Sequence, residues 1–373
     1  MAHAYTPGLK VLHYTKLKKN RRLPIKGEVS KGKGDKVNAD DVIAKTDLPG
    51  NVNMLKVANL LNISPADIHD VLEVEEGDTV NKGDMIAQTD GLFGFFKSDV
   101  RSPISGTIES ISDVTGQIVM REAPIPVEVD AYVEGIVSDV IKDEGVTIES
   151  EAAYIQGIFG IGGESRGDLH VVVNNRDEEI TKDSINSSHA GKIIVGGSFI
   201  SLDAYKKAIE LKVRGVVVGG FNYFDLEDIL GYTLGVAITG TEDLVTSLIV
   251  TEGYGNIKMS ERTFNLLKKH DGKFVSVNGA TQIRAGVIRP EIVIPLDANQ
   301  IPDNKKDDRE NLGIQKGSLV RVIRAPYFGK IGEVTDLPSE LQKMESETMV
   351  RVATVRINSE SFTIPRSNLE MLE

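Results

Sequence analysis

Acidic, amide and guanidinium side chains set beside glycines are the first residues in this chain that could do chemistry. The stretch 278–291 carries Gln282, Arg284 and Arg289 around Gly279 and Gly286, and two arginines so placed could clamp an anion with charge-assisted hydrogen bonds. Glu252, in Thr251-Glu252-Gly253-Tyr254-Gly255, could serve as a base. Gly196-Gly197 and Gly219-Gly220 each follow a β-branched run, at the strand ends where parallel α/β sheets bind ligands. A plainer reading also covers these residues: the glycines close turns, and Arg284 and Arg289 pair with Glu291 or another acid. The plainer reading carries more weight, because no Ser–His–Asp order, metal cluster or paired carboxylate adds independent support. No residue is assigned a catalytic role, and the sequence leans away from an enzyme.

Other chemistries fail on composition. The chain is cysteine-free, which excludes thiolate zinc sites, cysteine-ligated clusters, thiol nucleophiles and disulfides within it. Six histidines are scattered without an HExxH or other close pair, so no metal site is expected. The cluster Gly157-Ile158-Phe159-Gly160-Ile161-Gly162-Gly163-Glu164 lacks the lysine of a P-loop and runs into a strand instead of a helix. It reads as a glycine-bent β corner. No run reaches the roughly 18 to 20 apolar residues of a membrane helix, and the start lacks a signal-peptide core, so a cytoplasmic protein is expected.

Charge is unevenly distributed. Residues 1–36 hold ten Lys/Arg, among them Lys18, Lys19, Arg21 and Arg22, against Glu28 and Asp35, within a chain of net charge −12. A basic N-terminal arm (1–23) on an acidic body fits either a local anionic contact or a solvated surface segment.

The elements that must position these residues begin with a duplication. Residues 34–47 and 77–90 align without gaps and agree at nine of fourteen positions, an internal repeat in which one supersecondary unit is used twice. In each copy Gly-Asp makes a tight turn before a short buried strand. Helical spacing over Met54–Leu61 and the Ser64-Pro65 start place a helical insert at about 53–72. From 179 to 295 the rhythm changes to alternating strands and helices. Strands are expected at Lys192–Val195, Val216–Val218, Val236–Thr239, Leu248–Val250 and Phe274–Val277. Helices are expected at Ser201–Lys212 and Leu226–Leu230 and after Ser260, which together make a small parallel α/β layer. Residues 296–312 read as a linker.

The repeat, with Ser102-Pro103-Ile104-Ser105-Gly106-Thr107-Ile108 after it, resembles the hammerhead, or barrel-sandwich hybrid, fold of biotinyl and lipoyl carriers and of the RnfC component of Rnf-type electron-transport complexes. The likeness covers about residues 24–122, within a β region expected over 24–178. A carrier of this family would bear its biotin or lipoyl group on the hairpin lysine. Lys97 is the one lysine there, but it lacks the family's flanking residues and sits about two residues too close to Pro103, so no cofactor is expected. Phe93, Phe95 and Phe96 nearby read as packing or as a sticky contact.

The C-terminal stretch Gly317–Val334, with Gly329 and Gly332 at its turn, resembles a KOW module, the SH3-like barrel of NusG-type factors, over residues 313–373. That likeness implies binding to RNA, ribosome or polymerase, through Arg321, Arg324 and Lys330 with Tyr327 and Phe328 for stacking. Residues 314–373 nevertheless hold eight basic and eight acidic side chains, which favours a protein partner. The fold expected is multidomain: mainly β with an α/β middle. The function expected is a non-catalytic scaffold or adaptor in a multiprotein assembly, of undetermined oligomeric state and without membrane insertion. Two alternatives stay open: a transcription- or translation-associated factor, and a small-anion or nucleotide-binding protein or enzyme centred on the α/β domain. A docking part of a membrane redox complex is inherited only from the Rnf likeness.

Overall fold

The structure is a computed structural model. It describes residues 9–89, 97–232, 239–242, 244–282, 288–302, 314, 316–322, 324, 326–327, 330–344 and 349–371. The expected strand Val236–Thr239 falls outside them except for Thr239. So do Phe93, Phe95, Phe96, Arg284, Phe328 and most of the expected linker.

The basic stretch is built into the fold. Val11–Arg22 is a twelve-residue strand running antiparallel to Gly145–Gln156. A register shift between Leu12 and Thr15 turns Tyr14 and Thr15 inward together; beyond it, outward and partly buried residues alternate. Lys16 and Lys18 both face Glu149, at 3.1 and 3.4 Å, as cross-strand pairs between a basic and an acidic strand.

The two repeat copies make the same local structure. Gly34 and Gly77 both sit at φ +95°, which favours glycine. Asp35 accepts from the amide of Gly32 at 2.8 Å, and Asp78 from Glu75 at 2.8 Å. Six residues on in each copy, Asp41 accepts from Asn38 and Asp84 from Asn81. The copies nonetheless feed different cores. Val37, Ile43 and Ala44 pack with Ala131, Tyr132, Val137 and Ile148 in an outer unit. Val80, Ile86 and Ala87 pack with Val57, Ile68, Ile108, Ile118 and Met120 in a second unit inserted between the strands Val42–Leu48 and Ile125–Asp130. Burying a side chain such as Ile118 or Met120, both 0% exposed, contributes about 2 kcal/mol.

The insert differs in detail from expectation. Met54 lies on a strand, Val52–Leu55, and the helix is confined to Val57–Leu61. Pairing of Met54 with Val119 on a neighbouring strand outweighs the helical spacing of 54–61. Ser64-Pro65 opens a 3-10 helix, Pro65–Asp70, without a side-chain capping bond.

Gly145–Gln156 also pairs with Glu291–Pro295 and so joins the outer unit to a thirteen-stranded sheet among the described residues. Within that sheet Glu164–Val171, Ile193–Val195, Gly215–Phe221 and Ser247–Tyr254 run parallel. Every residue of Gly215–Phe221 is buried, as a strand covered on both faces requires. One face packs on Leu202–Glu210 and Asp225–Leu230, through Ala204, Tyr205, Ala208 and Leu226. The other packs on Glu261–Lys269, through Phe264, Leu266 and Leu267. Ser201 and Ser260 cap the two longer helices by accepting from Ala204 and Thr263. Among the described residues a separate six-stranded antiparallel sheet over 319–371 has its own core of Val320, Val334, Val355, Ile364 and Leu369.

Candidate functional site

The carboxyl ends of the parallel strands are where the sequence places ligand chemistry, and the chain's own backbone fills them. A β-carbon on Gly219 would overlap the carbonyl oxygen of Ile257, and one on Gly220 that of Gly255. At Gly197 it would sit 2.6 Å from the carbonyl oxygens of Asn175 and Glu178, and at Gly196 it would meet the side chain of Ile180. The glycines admit the loops 175–178 and 255–259, and so cover the strand ends from within.

Glu252 is half-buried, and its carboxylate accepts from the amide of Ser260 at 2.8 Å and the hydroxyl of Thr251 at 3.2 Å. Burial pushes its pKa up, against those two hydrogen bonds and the charges of Arg321 and Arg176. The carboxylate therefore braces the start of the helix Glu261–Lys269. Gln282 bridges to Ile288, its amide donating to that carbonyl at 2.8 Å. Among the described residues no hydrogen bond or ion pair links Gln282 or half-buried Arg289 to Glu252, and Arg284 lies outside those residues.

Glu291, the expected partner of the arginines, is taken by other groups. It is 8% exposed, forms an ion pair with Lys19, and accepts from the hydroxyls of Tyr132 at 3.1 Å and Tyr154 at 3.0 Å. Burial first, then the Glu291 charge, holds both phenols well above their usual range. Arg21 lies 5.3 Å over the Tyr132 ring and makes two bonds to Glu164, at 2.6 and 2.8 Å. It also binds Asp130, which pairs in turn with Arg166. Tyr132 itself holds φ +63°, and its carbonyl accepts from Ser276. Four of the basic residues expected to form a nucleic-acid surface are thus engaged within the chain: Lys18, Lys19, Arg21, and Arg22 with Glu144 at 3.4 Å.

In the C-terminal sheet Arg321, Arg324 and Lys330 are exposed. Tyr327 packs on Phe362 at 4.5 Å, with the Lys330 ammonium 5.9 Å from its ring. Lys97 is exposed and adjoins Ser98, whose carbonyl accepts from the amide of Thr89 at 3.0 Å. A cleft of about 490 Å³ lies elsewhere, between the outer unit and the sheet, where Lys16 and Glu149 on its wall pair with each other.

Sequence reasoning missed an aromatic ledge just outside the closed strand ends. Parallel pairing sets Phe221 opposite Tyr254. Tyr223 then meets Tyr254 edge-on at 5.1 Å and Phe224 at 5.9 Å, while Tyr254 rests on buried Phe159 at 5.3 Å. Burial raises the Tyr254 phenol to about 12. Phe224 is 83% exposed. The usable signal was Phe221-Asn222-Tyr223-Phe224 at the exit of a buried strand, where aromatic residues run on past the core.

Together these observations define a mainly β protein that contains a barrel-sandwich hybrid domain. The RnfC barrel sandwich hybrid domain family model matches residues 68–142, which cover the second repeat copy and the return strands of the outer unit. No curated protein matches the chain.

Proposed function

We propose that this chain is a non-catalytic adaptor of a multiprotein assembly, which binds a protein partner through its β modules. The observation that carries the reading is the closure of the parallel strand ends by the chain's own loops, with exposed aromatic side chains immediately beyond. That arrangement favours a surface for docking over a cavity for a small substrate. The match to a domain of RnfC adds a multiprotein setting, and it spans much of the inserted unit.

The two copies of the Gly-Asp unit are one motif used twice in the hammerhead region, which runs from 24 to 178. Residues 179–295 act as a small α/β spacer, and residues 313–373 form a KOW-type SH3-like barrel that offers a second protein-binding face. The protein works in the cytoplasm, and Lys97 stays unmodified. Among the described residues no helix is long and apolar enough to cross a membrane. A nucleic-acid role gains no support from the N-terminal strand, because its basic side chains already face carboxylates.

The test is crosslinking of the tagged full-length chain in its native cells, followed by mass spectrometry. The expected result is a partner in near-stoichiometric amount, with crosslinks reaching the β modules. Recovery of the chain alone with a bound metabolite would overturn the adaptor reading and favour the small-ligand alternative.

A further inference from the structure

The strand Val52–Leu55 leaves one side of the inserted unit's sheet open. Among the described residues it is the end strand of four, paired only with Gln117–Arg121. The carbonyl of Asn51 accepts from the amide of Glu122, and that bond sets the alternation of the ladder. Backbone groups of residues 51, 53 and 55 face the neighbouring strand, and those of Val52 and Met54 face outward. The side chains of Val52 and Met54 are exposed as well, at 51% and 66%. Other edges of the two β units carry features that keep strands apart: Pro126 and Glu128 in Ile125–Asp130, Glu28 in Glu28–Val29, and Lys36 in Lys36–Val37. Val52–Leu55 holds no charge, no proline and no bulge.

We propose that this edge pairs antiparallel with the same strand of a second copy of the chain, across a twofold axis at Asn53. The strand itself dictates the register. With Asn53 opposite its counterpart, Val52 of each copy meets Met54 of the other, so the residues whose backbone groups point outward are the ones that face each other. Each such pair exchanges N–H···O bonds in both directions, once on either side of the axis. The same register makes Val52 and Met54 apolar cross-strand neighbours on the exposed face. A slip of one residue would set Val52 against a side chain of the opposite face and break the match. A twofold contact requires a patch that complements itself, and this edge does so in backbone and side chain together. The contact is small, which places it among weak dimers that form as concentration rises. It goes beyond the adaptor reading and does not rest on it.

The experiment is sedimentation velocity of the full chain from about 1 to about 500 µM, where a dimer should form with a Kd on the order of 10 to 100 µM. Met54→Lys sets an ammonium into both cross-strand pairs. Met54→Pro removes an amide that faces away from the neighbouring strand, so the intrachain ladder is kept. Each variant should weaken association at least about tenfold, with circular dichroism confirming that it is folded. The absence of cysteine allows a second readout. Asn53→Cys supplies a single thiol, which in this register lies opposite its own counterpart at a Cα separation of about 4.5 Å, within disulfide range. Under mild oxidation it should form a covalent dimer at least about tenfold faster than Glu73→Cys, an exposed position elsewhere on the same unit. A chain that stays monomeric throughout the concentration range would overturn the proposal. So would a dimer indifferent to the folded Met54 variants, or Asn53→Cys coupling no faster than Glu73→Cys.

Discussion

At the scale of single residues, buried Glu291 has its carboxyl oxygens satisfied by Lys19, Tyr132 and Tyr154 together. Lys19→Met removes the counter-charge and leaves the carboxylate buried, so it should cost about 3 kcal/mol in urea unfolding. Lys18→Met, which breaks a largely exposed pair with Glu149, should cost less than about 1 kcal/mol. Equal losses in the two variants would show that Glu291 does not depend on Lys19. His270 takes the opposite course: it is 2% exposed, and its Nδ1 has no hydrogen-bond partner among the described residues. Burial, and then the charges of Lys269, Lys273 and His13, lower its pKa, and burial lowers that of His189 as well. Protons therefore bind the unfolded histidines more readily than the folded ones. Stability is complete above the unfolded value of about 6.5 and falls as the pH drops through it toward the lower folded values. Urea midpoints should decline between about pH 7.5 and 5.5, and His270→Gln should make that decline shallower. A variant that keeps the full decline would assign the effect to other groups.

At the scale of elements, the strand ends decide between two roles for the same glycines. If Gly219 and Gly220 exist to admit the loop 255–259, then Gly219→Ala or Gly220→Ala forces a β-carbon into backbone that cannot move aside. Each substitution should cost more than about 2 kcal/mol and lower the yield of folded protein, read by circular dichroism and thermal unfolding. Alanine variants that fold normally would reopen the strand ends to a ligand. Much of this level is legible in the sequence. The Gly-Asp turns at 34–35 and 77–78, the helix start at Ser260 and the strand at 216–218 all carry local signals, and the structure holds each where its spacing indicates. Met54 reads as helix because four residues of strand carry too short a pattern to outweigh helical spacing next to them. The ledge is hidden for a different reason. Tyr223 and Tyr254 are far apart in the chain, and only the pairing of Phe221 with Tyr254 brings them together. The partners of Lys19 and Arg21 are hidden likewise, since Glu291 and Glu164 reach them only through the sheet.

At the scale of the whole molecule, the nested order of the two β units has a consequence for how the chain folds. The insert leaves the outer unit after Leu48 and returns at Ile125, and those two residues are paired neighbours. The amide of Glu122 donates to the carbonyl of Asn51 at 3.0 Å, so the outgoing and returning segments run side by side. Ends this close let a domain sit within another without straining either, and the insert has a core of its own, from Val57 and Ile68 to Ile118 and Met120. Among the described residues it has no share in the ionic cluster of Arg21, Arg166, Asp130 and Glu164 or in the Lys19–Glu291 pair, which tie the outer unit to the large sheet. Residues 49–124 made alone should therefore fold cooperatively, with the modest stability of about 3 to 5 kcal/mol that a core of this size supports. The remaining chain, with a short Gly-Ser turn joining Leu48 to Ile125, should stay folded. Dispersed amide signals from the isolated segment and an unchanged melting temperature for the remainder are the expected results. An unfolded segment, or collapse of the remainder, would mean that the two cores are one cooperative structure and that the repeat copies stabilise each other.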